Sequence, residues 1–186
     1  MRIISGKLKG RVLKYLKNSN TRPLKDNVRE SIFNILKHSN LIKTKIENSN
    51  ILDLYSGTGS FGIECISRGA EEVVFIEKDL RAMEVLKENL IKLSIINKSQ
   101  VYNYKIEDFL IKEIKKKFNI FFFDPPFADK KKLENLELIK KKKLFDNNHV
   151  VIIHRELKSK DRFKDFFEIV ETKLYGRSEI IFGEFK

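Results

Sequence analysis

Tryptophan is absent, cysteine occurs once, and proline and histidine occur three times each in this chain of 186 residues. The lone Cys65 excludes an internal disulfide, and its apolar setting in FGIECI marks a buried small side chain rather than a nucleophile. His38, His149 and His154 stand apart with no cysteine cluster, so no metal site is expected. No apolar run approaches the roughly eighteen residues of a membrane span, and the opening MRIISGKLKGR has no apolar leader segment. The expectation is a soluble, cytoplasmic protein with no membrane contact. Internal repeats and low-complexity linkers are also missing, and the length suits one sizeable core with a small appendage.

Acidic residues are in deficit. Asp and Glu number 26 against 38 Lys and Arg, a formal charge of +12, and an excess of this size supplies the sequence-independent attraction used by nucleic-acid binders. The lysine runs at 115–117, 130–132 and 140–143 lie around expected helix ends, where each reads as a solvated face. The case for a nucleic acid therefore rests on other residues.

Residues 2–16, RIISGKLKGRVLKYL, hold two short apolar runs broken by Gly6 and Gly10. They suggest a strand pair or curled hairpin whose polar side is basic through Arg2, Lys7, Lys9, Arg11 and Lys14. From about Leu24, the positions Val28, Ile32, Phe33, Ile35 and Leu36 recur at helical spacing as far as 38–40, with Arg29 and Glu30 off the apolar face. Residues 1–45 form the expected N-terminal extension. From residue 46 onward short apolar strands alternate with helical segments. Strands are expected at 51–55, 73–77, 101–104, 120–123 and 150–154, helices at 60–68, 80–93, 107–116, 132–141 and 160–166, and a final hairpin at 167–174 and 178–185 about Gly176. Strands apolar throughout, such as IFFF before Asp124, point to a sheet covered on both faces. The fold class is α/β: a doubly wound, mostly parallel sheet closed by an antiparallel edge, occupying residues 46–186.

The stretch 51–62, ILDLYSGTGSFG, runs from a strand through a tight turn into a helix. Gly57, Gly59 and Gly62 match G-x-G-x-x-G, and Glu77 follows Gly57 by twenty residues, where a ribose-binding acid would stand. In an open α/β sheet the ligand sits beyond the carboxyl ends of the strands. That rule gathers Asp53, Tyr55, Gly57, Gly59, Glu77, the segment 104–108 and residues 124–127 onto one rim.

Asp124-Pro125-Pro126-Phe127 directly follows the most apolar strand. Two prolines cannot extend a central strand, so the chain turns out at the rim with fixed φ. A carboxylate and a stiff carbonyl can together accept both hydrogens of an exocyclic amine, and an adjacent aromatic ring can stack on a flipped base. A nucleobase amine is a poor nucleophile because its lone pair is delocalised. Two acceptors favour a pyramidal nitrogen aimed at an electrophilic methyl group, and no strong base is needed.

At this point the chain resembles a family. LDLYSGTG, IEKD, DPPF and, above all, RIISGKLKGR followed by TRPLKDNVRESIFN are similar to the RsmD-type bacterial 16S ribosomal RNA guanine-N2 methyltransferases, over nearly the whole length. The resemblance implies a class I methyltransferase fold with a seven-stranded sheet, S-adenosylmethionine as donor, and a guanine exocyclic amine of 16S rRNA as acceptor. The substrate would be the assembling or assembled small subunit, met by a monomer. Carried onto this sequence, Asp53, Gly57 and Gly59 line the donor's amino acid end and Glu77 its ribose, with Tyr55 and Ile106 completing the cofactor set. Asp124 and Pro125 hold the target amine, Phe127 stacks on the base and Pro126 belongs to the same catalytic motif. Arg2, Lys7, Lys9, Arg11, Arg22 and Arg29 form the expected RNA-binding set.

Three positions depart from the family pattern. Ser5 replaces a common glycine, and Leu24 replaces a threonine that would cap the next helix, so that the helix can start at Asp26 instead. Lys105 stands where an Asp or Asn often meets adenine, which leaves that contact to Ile106, Glu107 or Asp108. Competing readings are a nicotinamide-dependent oxidoreductase, another DPPF-type amino-methyltransferase acting on adenine N6 or on protein glutamine, and a basic RNA-binding assembly factor without activity. Glu64 and Glu84 are expected on solvated helix faces, and the three residues Phe121, Phe122 and Phe123 in the core.

Overall fold

The computed structural model describes residues 1–16, 24–126, 129, 131–159, 163 and 166–186. Among these residues the chain forms strands β1 (Asn50–Leu54), β2 (Glu72–Ile76), β3 (Ser99–Tyr102), β4 (Phe118–Phe123), β5 (Phe145–Glu156), β6 (Phe167–Tyr175) and β7 (Ser178–Phe185). Helices α1 (Asp26–His38), α2 (Ser60–Ser67), α3 (Leu80–Lys92), α4 (Ile106–Leu110) and α5 (Lys132–Lys141) complete it. The seven strands make one sheet in the order β3-β2-β1-β4-β5-β7-β6. The first five run parallel, and β7 pairs antiparallel with both β5 and β6. The order reverses at β1, which has β2 on one side and β4 on the other. This is the switch point at which open sheets leave a crevice.

Period-two alternation along apolar strands divides the interior into two layers. Ile51, Val73 and Phe75 face one layer with Phe33 of α1, Phe61 of α2 and Leu86 of α3. Leu52, Leu54, Val74 and Ile76 face the other with Phe109 of α4 and Leu136 of α5. The continuous apolar runs are therefore those of a sheet buried on both faces. The expected triplet Phe121, Phe122 and Phe123 is core, and the expected parallel strands and closing hairpin are present.

Some boundaries differ. Helix α4 stops at Leu110 rather than near 116, because the chain must return across the sheet to start β4 at Phe118 and residues 111–113 are exposed. Strand β5 starts at Phe145, pairing with Phe118 through an irregular register that apolarity alone does not reveal. The helix expected at 160–166 falls largely outside the described residues; Phe163 and Phe166, which are described, are not helical.

The N-terminal residues curl into a hairpin with a single antiparallel bridge, Arg2 to Val12, rather than a ladder. Ile3 N donates to Arg11 O at 3.0 Å and Leu13 N to Met1 O at 3.0 Å, while Ile3 and Leu13 enter the same core layer as α1, α2 and α3. Helix α2 holds the hairpin from below. Glu64, expected to be solvated, is buried and accepts the amides of Ile4 at 2.8 Å and Ser5 at 2.9 Å. Ser67 Oγ donates to Ser5 O at 2.6 Å, and Lys7 N donates to Ser67 O at 2.7 Å. Gly6 makes this approach possible: at φ +83° it has no Cβ, which would lie 1.9 Å from Ser67 O.

Arg29 also departs from expectation. It does not lie off the apolar face of α1 but is fully buried, with Nη2 donating to Arg2 O at 2.6 Å and to Asp26 Oδ1 at 2.9 Å. Burial pulls its pKa below the ordinary guanidinium value, with Asp26 and then Glu64 acting against that shift. Helix α1 begins at Asp26, two residues after Leu24.

Candidate active site

Strand β1 delivers the first part of the site. After Leu54 the backbone passes through positive φ at Tyr55 (62°), Gly57 (54°) and Gly59 (85°) before α2 begins. A Cβ at Gly57 would meet nothing within 4 Å, so its conformation and not its neighbours calls for glycine there. Gly59 is also packed, since a Cβ would lie 2.3 Å from Leu86 Cδ1. Gly62 is different in kind: its missing Cβ would sit 2.3 Å from the Phe75 ring, so the third glycine serves the packing of α2 on β2.

Two carboxylates fix this loop. Glu77, just past β2, accepts Gly57 N on Oε2 at 2.8 Å and Asp79 N on Oε1 at 2.7 Å. Each oxygen keeps lone-pair capacity for a further donor. Asp53, on β1, is 1% exposed and accepts Gly62 N on Oδ2 at 3.0 Å, while Oδ1 has no partner among the described residues. Desolvation pushes the Asp53 pKa well above the ordinary carboxylate range; the Gly62 bond opposes this, and Asp124 and Glu77 add to it. A buried carboxylate oxygen without a donor suits a ligand that brings a cationic or N–H group. These residues fit the amino acid end and ribose of S-adenosylmethionine.

Strand β4 supplies the second part. Asp124 follows Phe123 at the carboxyl end of the strand, and its Oδ1 lies 2.7 Å from His154 Nδ1 on β5. Pro125 is buried and Pro126 exposed. The Pro126 carbonyl accepts Asp129 N at 2.8 Å in the turn that follows. Phe127 lies outside the described residues.

Both parts open onto one cavity of about 1640 Å³, whose lining includes Asp53, Gly57, Glu77, Asp124, Pro125 and His154. Tyr55, Lys105, Ile106 and Glu107 line it as well. The Tyr55 hydroxyl accepts Asn135 Nδ2 at 3.2 Å, and its pKa is raised, first by desolvation and next by its bond to Asp129. Ile106 is buried and offers an apolar wall, whereas Glu107 is engaged by Lys131 at 3.1 Å.

The expected basic residues divide. Arg2, Lys7, Lys9 and Arg11 lie on the hairpin, with Lys9 and Arg11 among its exposed positions, Arg29 is buried away from solvent, and Arg22 lies outside the described residues. Sequence reasoning missed Asn89 of α3, a buried side chain whose Oδ1 accepts Lys14 N at 2.9 Å and whose Nδ2 donates to Lys14 O at 3.0 Å and Thr58 O at 3.3 Å. One amide thus joins the basic hairpin to the glycine loop. His154 was also missed as a neighbour of Asp124. The pairing of Phe123 with Ile153 places the two side by side, and only the strand order exposes that signal.

A family model described as Conserved hypothetical protein 95 matches residues 1–184 of the chain. Ribosomal RNA small subunit methyltransferase D of Buchnera aphidicola subsp. Baizongia pistaciae is 35% identical over 156 residues, covering 84% of this chain and 76% of that one. The candidate rRNA methyltransferase YlbH of Bacillus subtilis is 35% identical over 158 residues, covering 84% and 83%. Among solved structures, yhhF of Escherichia coli, a candidate methyltransferase, superposes with a TM-score of 0.86 at 26% identity, covering 100% of this chain and 98% of that one.

Proposed function

This chain belongs to the Conserved hypothetical protein 95 family, the RsmD-type family anticipated from its motifs, and on that premise we propose that it methylates the exocyclic N2 amine of a guanine in 16S rRNA. It works as a cytoplasmic monomer on the assembling or assembled small subunit, with S-adenosylmethionine as donor. One observation carries the reading: the Asp124-Pro125 turn and the Glu77–Gly57 loop open onto the same cavity, which is also lined by Asp53, whose Oδ1 has no partner among the described residues.

S-adenosylmethionine, when bound, would supply an electrophilic sulfonium methyl; transfer to the amine nitrogen would leave the C–S bonding pair on sulfur, and the nitrogen's surplus proton would pass to water. Asp53 and the loop at Gly57 and Gly59 would hold the donor's amino acid end, Glu77 its ribose, and Ile106 would pack beside its base. Asp124 and the Pro125 carbonyl accept the two amine hydrogens, which draws the nitrogen toward a pyramidal geometry and aims its lone pair. Pro126, whose own carbonyl accepts Asp129 N, follows in the same motif, and Phe127 stacks on the extruded base. The hairpin cations Arg2, Lys7, Lys9 and Arg11, together with Arg22, draw in the phosphate backbone.

The test is mass spectrometry of 16S rRNA from cells that lack the gene, complemented with the parent or with Asp124→Ala. The parent restores one N2-methylguanine and the variant does not, although it still binds S-adenosylhomocysteine. A different methylated nucleoside, or full methylation by the variant, refutes the reading.

A further inference from the structure

His154 belongs to no motif that led to the reading above, yet its ring is bonded to the proposed amine acceptor. It stands within β5, the strand next to β4, where the register Phe123 to Ile153 sets it beside Asp124, the residue that follows the end of β4. Its Nδ1 lies 2.7 Å from Asp124 Oδ1. Both side chains are mostly shielded, His154 at 12% and Asp124 at 23% side-chain exposure, and both line the cavity. The His154 Nε2 atom is buried with no partner among the described residues. A buried ring nitrogen is left without a partner only at a cost in free energy, and here the ring keeps its place beside Asp124 despite it.

We infer that His154 is a positioning residue: it holds Asp124 by Oδ1 so that Oδ2 is presented to the target amine. This rests on the reading that Asp124 receives that amine. A carboxylate rotates about its last torsion between broad minima, and one fixed donor on Oδ1 removes that freedom. With Nδ1 as the donor to Oδ1, Nε2 is the acceptor nitrogen of the ring and is open to a group that enters with the substrate. Two acceptors can align a nitrogen lone pair only if both are themselves held, and misplacement of such a group by about 1 Å costs on the order of 100-fold in rate.

Two substitutions separate positioning from packing. His154→Phe keeps a planar ring without a donor, and His154→Asn puts an amide N–H close to where Nδ1 stands. Single-turnover methyl transfer to small subunits lacking the modification is measured for both and for the parent, with S-adenosylhomocysteine affinity and thermal midpoint alongside. The expected result for His154→Phe is a fall of roughly 30- to 100-fold in the single-turnover rate, with donor affinity and RNA half-saturation within about threefold of the parent. His154→Asn recovers most of the rate. A His154→Phe rate within about threefold of the parent overturns the inference while leaving the guanine reading intact. Equal loss in both variants together with a lowered midpoint also overturns it, because that pattern is structural. A parent that leaves rRNA unmethylated overturns the inference and the guanine reading together.

Discussion

Glu77 accepts the Gly57 amide at 2.8 Å, so the acid proposed to hold the donor's ribose also sets the loop proposed to hold its amino acid end. The second oxygen accepts Asp79 N at 2.7 Å, at the N-cap of α3. The two tasks cannot be separated by mutation. Glu77→Gln turns an amide N–H toward one of these backbone donors and removes the charge. Bonds to charged groups are worth about 2 kcal/mol, so S-adenosylhomocysteine binding is expected to weaken roughly 30-fold, read by calorimetric titration.

Gly62 tests whether the third glycine concerns packing. Its Cβ would lie 2.3 Å from Phe75 Cε1 and 2.8 Å from Val73 Cγ1. Gly62→Ala is expected to destabilise the fold by about 1–3 kcal/mol, the usual cost of overpacking, measured by urea unfolding. A neutral result would show that α2 can move away from β2.

The basic hairpin is expected to act through phosphates. Lys7, Lys9 and Arg11 stand on its polar side. Replacing all three with glutamine should leave the thermal midpoint in place and lower the slope of log affinity against log salt by about 0.7–0.9 for each phosphate that is no longer neutralised. Binding to rRNA fragments across a salt series reads this directly, and an unchanged slope excludes the hairpin from the interface.

His149 gives the fold a pH dependence. Its Nε2 accepts Phe185 N at 2.9 Å, so Nδ1 carries the hydrogen and donates to Asp146 O at 2.8 Å. Desolvation lowers its pKa below the ordinary value of 6.5, outweighing the bond to Asp146. The folded state therefore binds its proton less readily than the unfolded chain. The associated stability is fully present above about pH 6.5 and is lost as pH falls through the lowered folded value. Thermal midpoints should fall on acidification across that window. His149→Gln, which can still accept from Phe185, should flatten the dependence.

Period and punctuation made much of the fold legible. The run FFF before Asp124, the helix at Lys132–Lys141 and the turn at Gly176 were all apparent because local pattern decides them. The rim residues Asp53, Gly57, Glu77 and Asp124 were legible because motif spacing and the crevice rule act together. Burial of charge was not. Arg29 and Glu64 look like surface residues on their own helices, and they become interior only because the N-terminal hairpin lies over them, an arrangement set by bonds between residues far apart in the chain. The early start of β5 and the Asp124–His154 pair depend on which strands are neighbours, a fact that no single segment contains.

The seating of the hairpin also has a consequence in time. Its holding groups, Glu64, Ser67 and Asn89, lie 59 to 75 residues further along the chain. Chains are made from the N-terminus at about 5–20 residues per second. The basic segment therefore leaves the ribosome seconds before anything exists to fold it against. Its cations are synthesised before the groups that fix them in place, and in that interval the nearest polyanion is the ribosome that is making it.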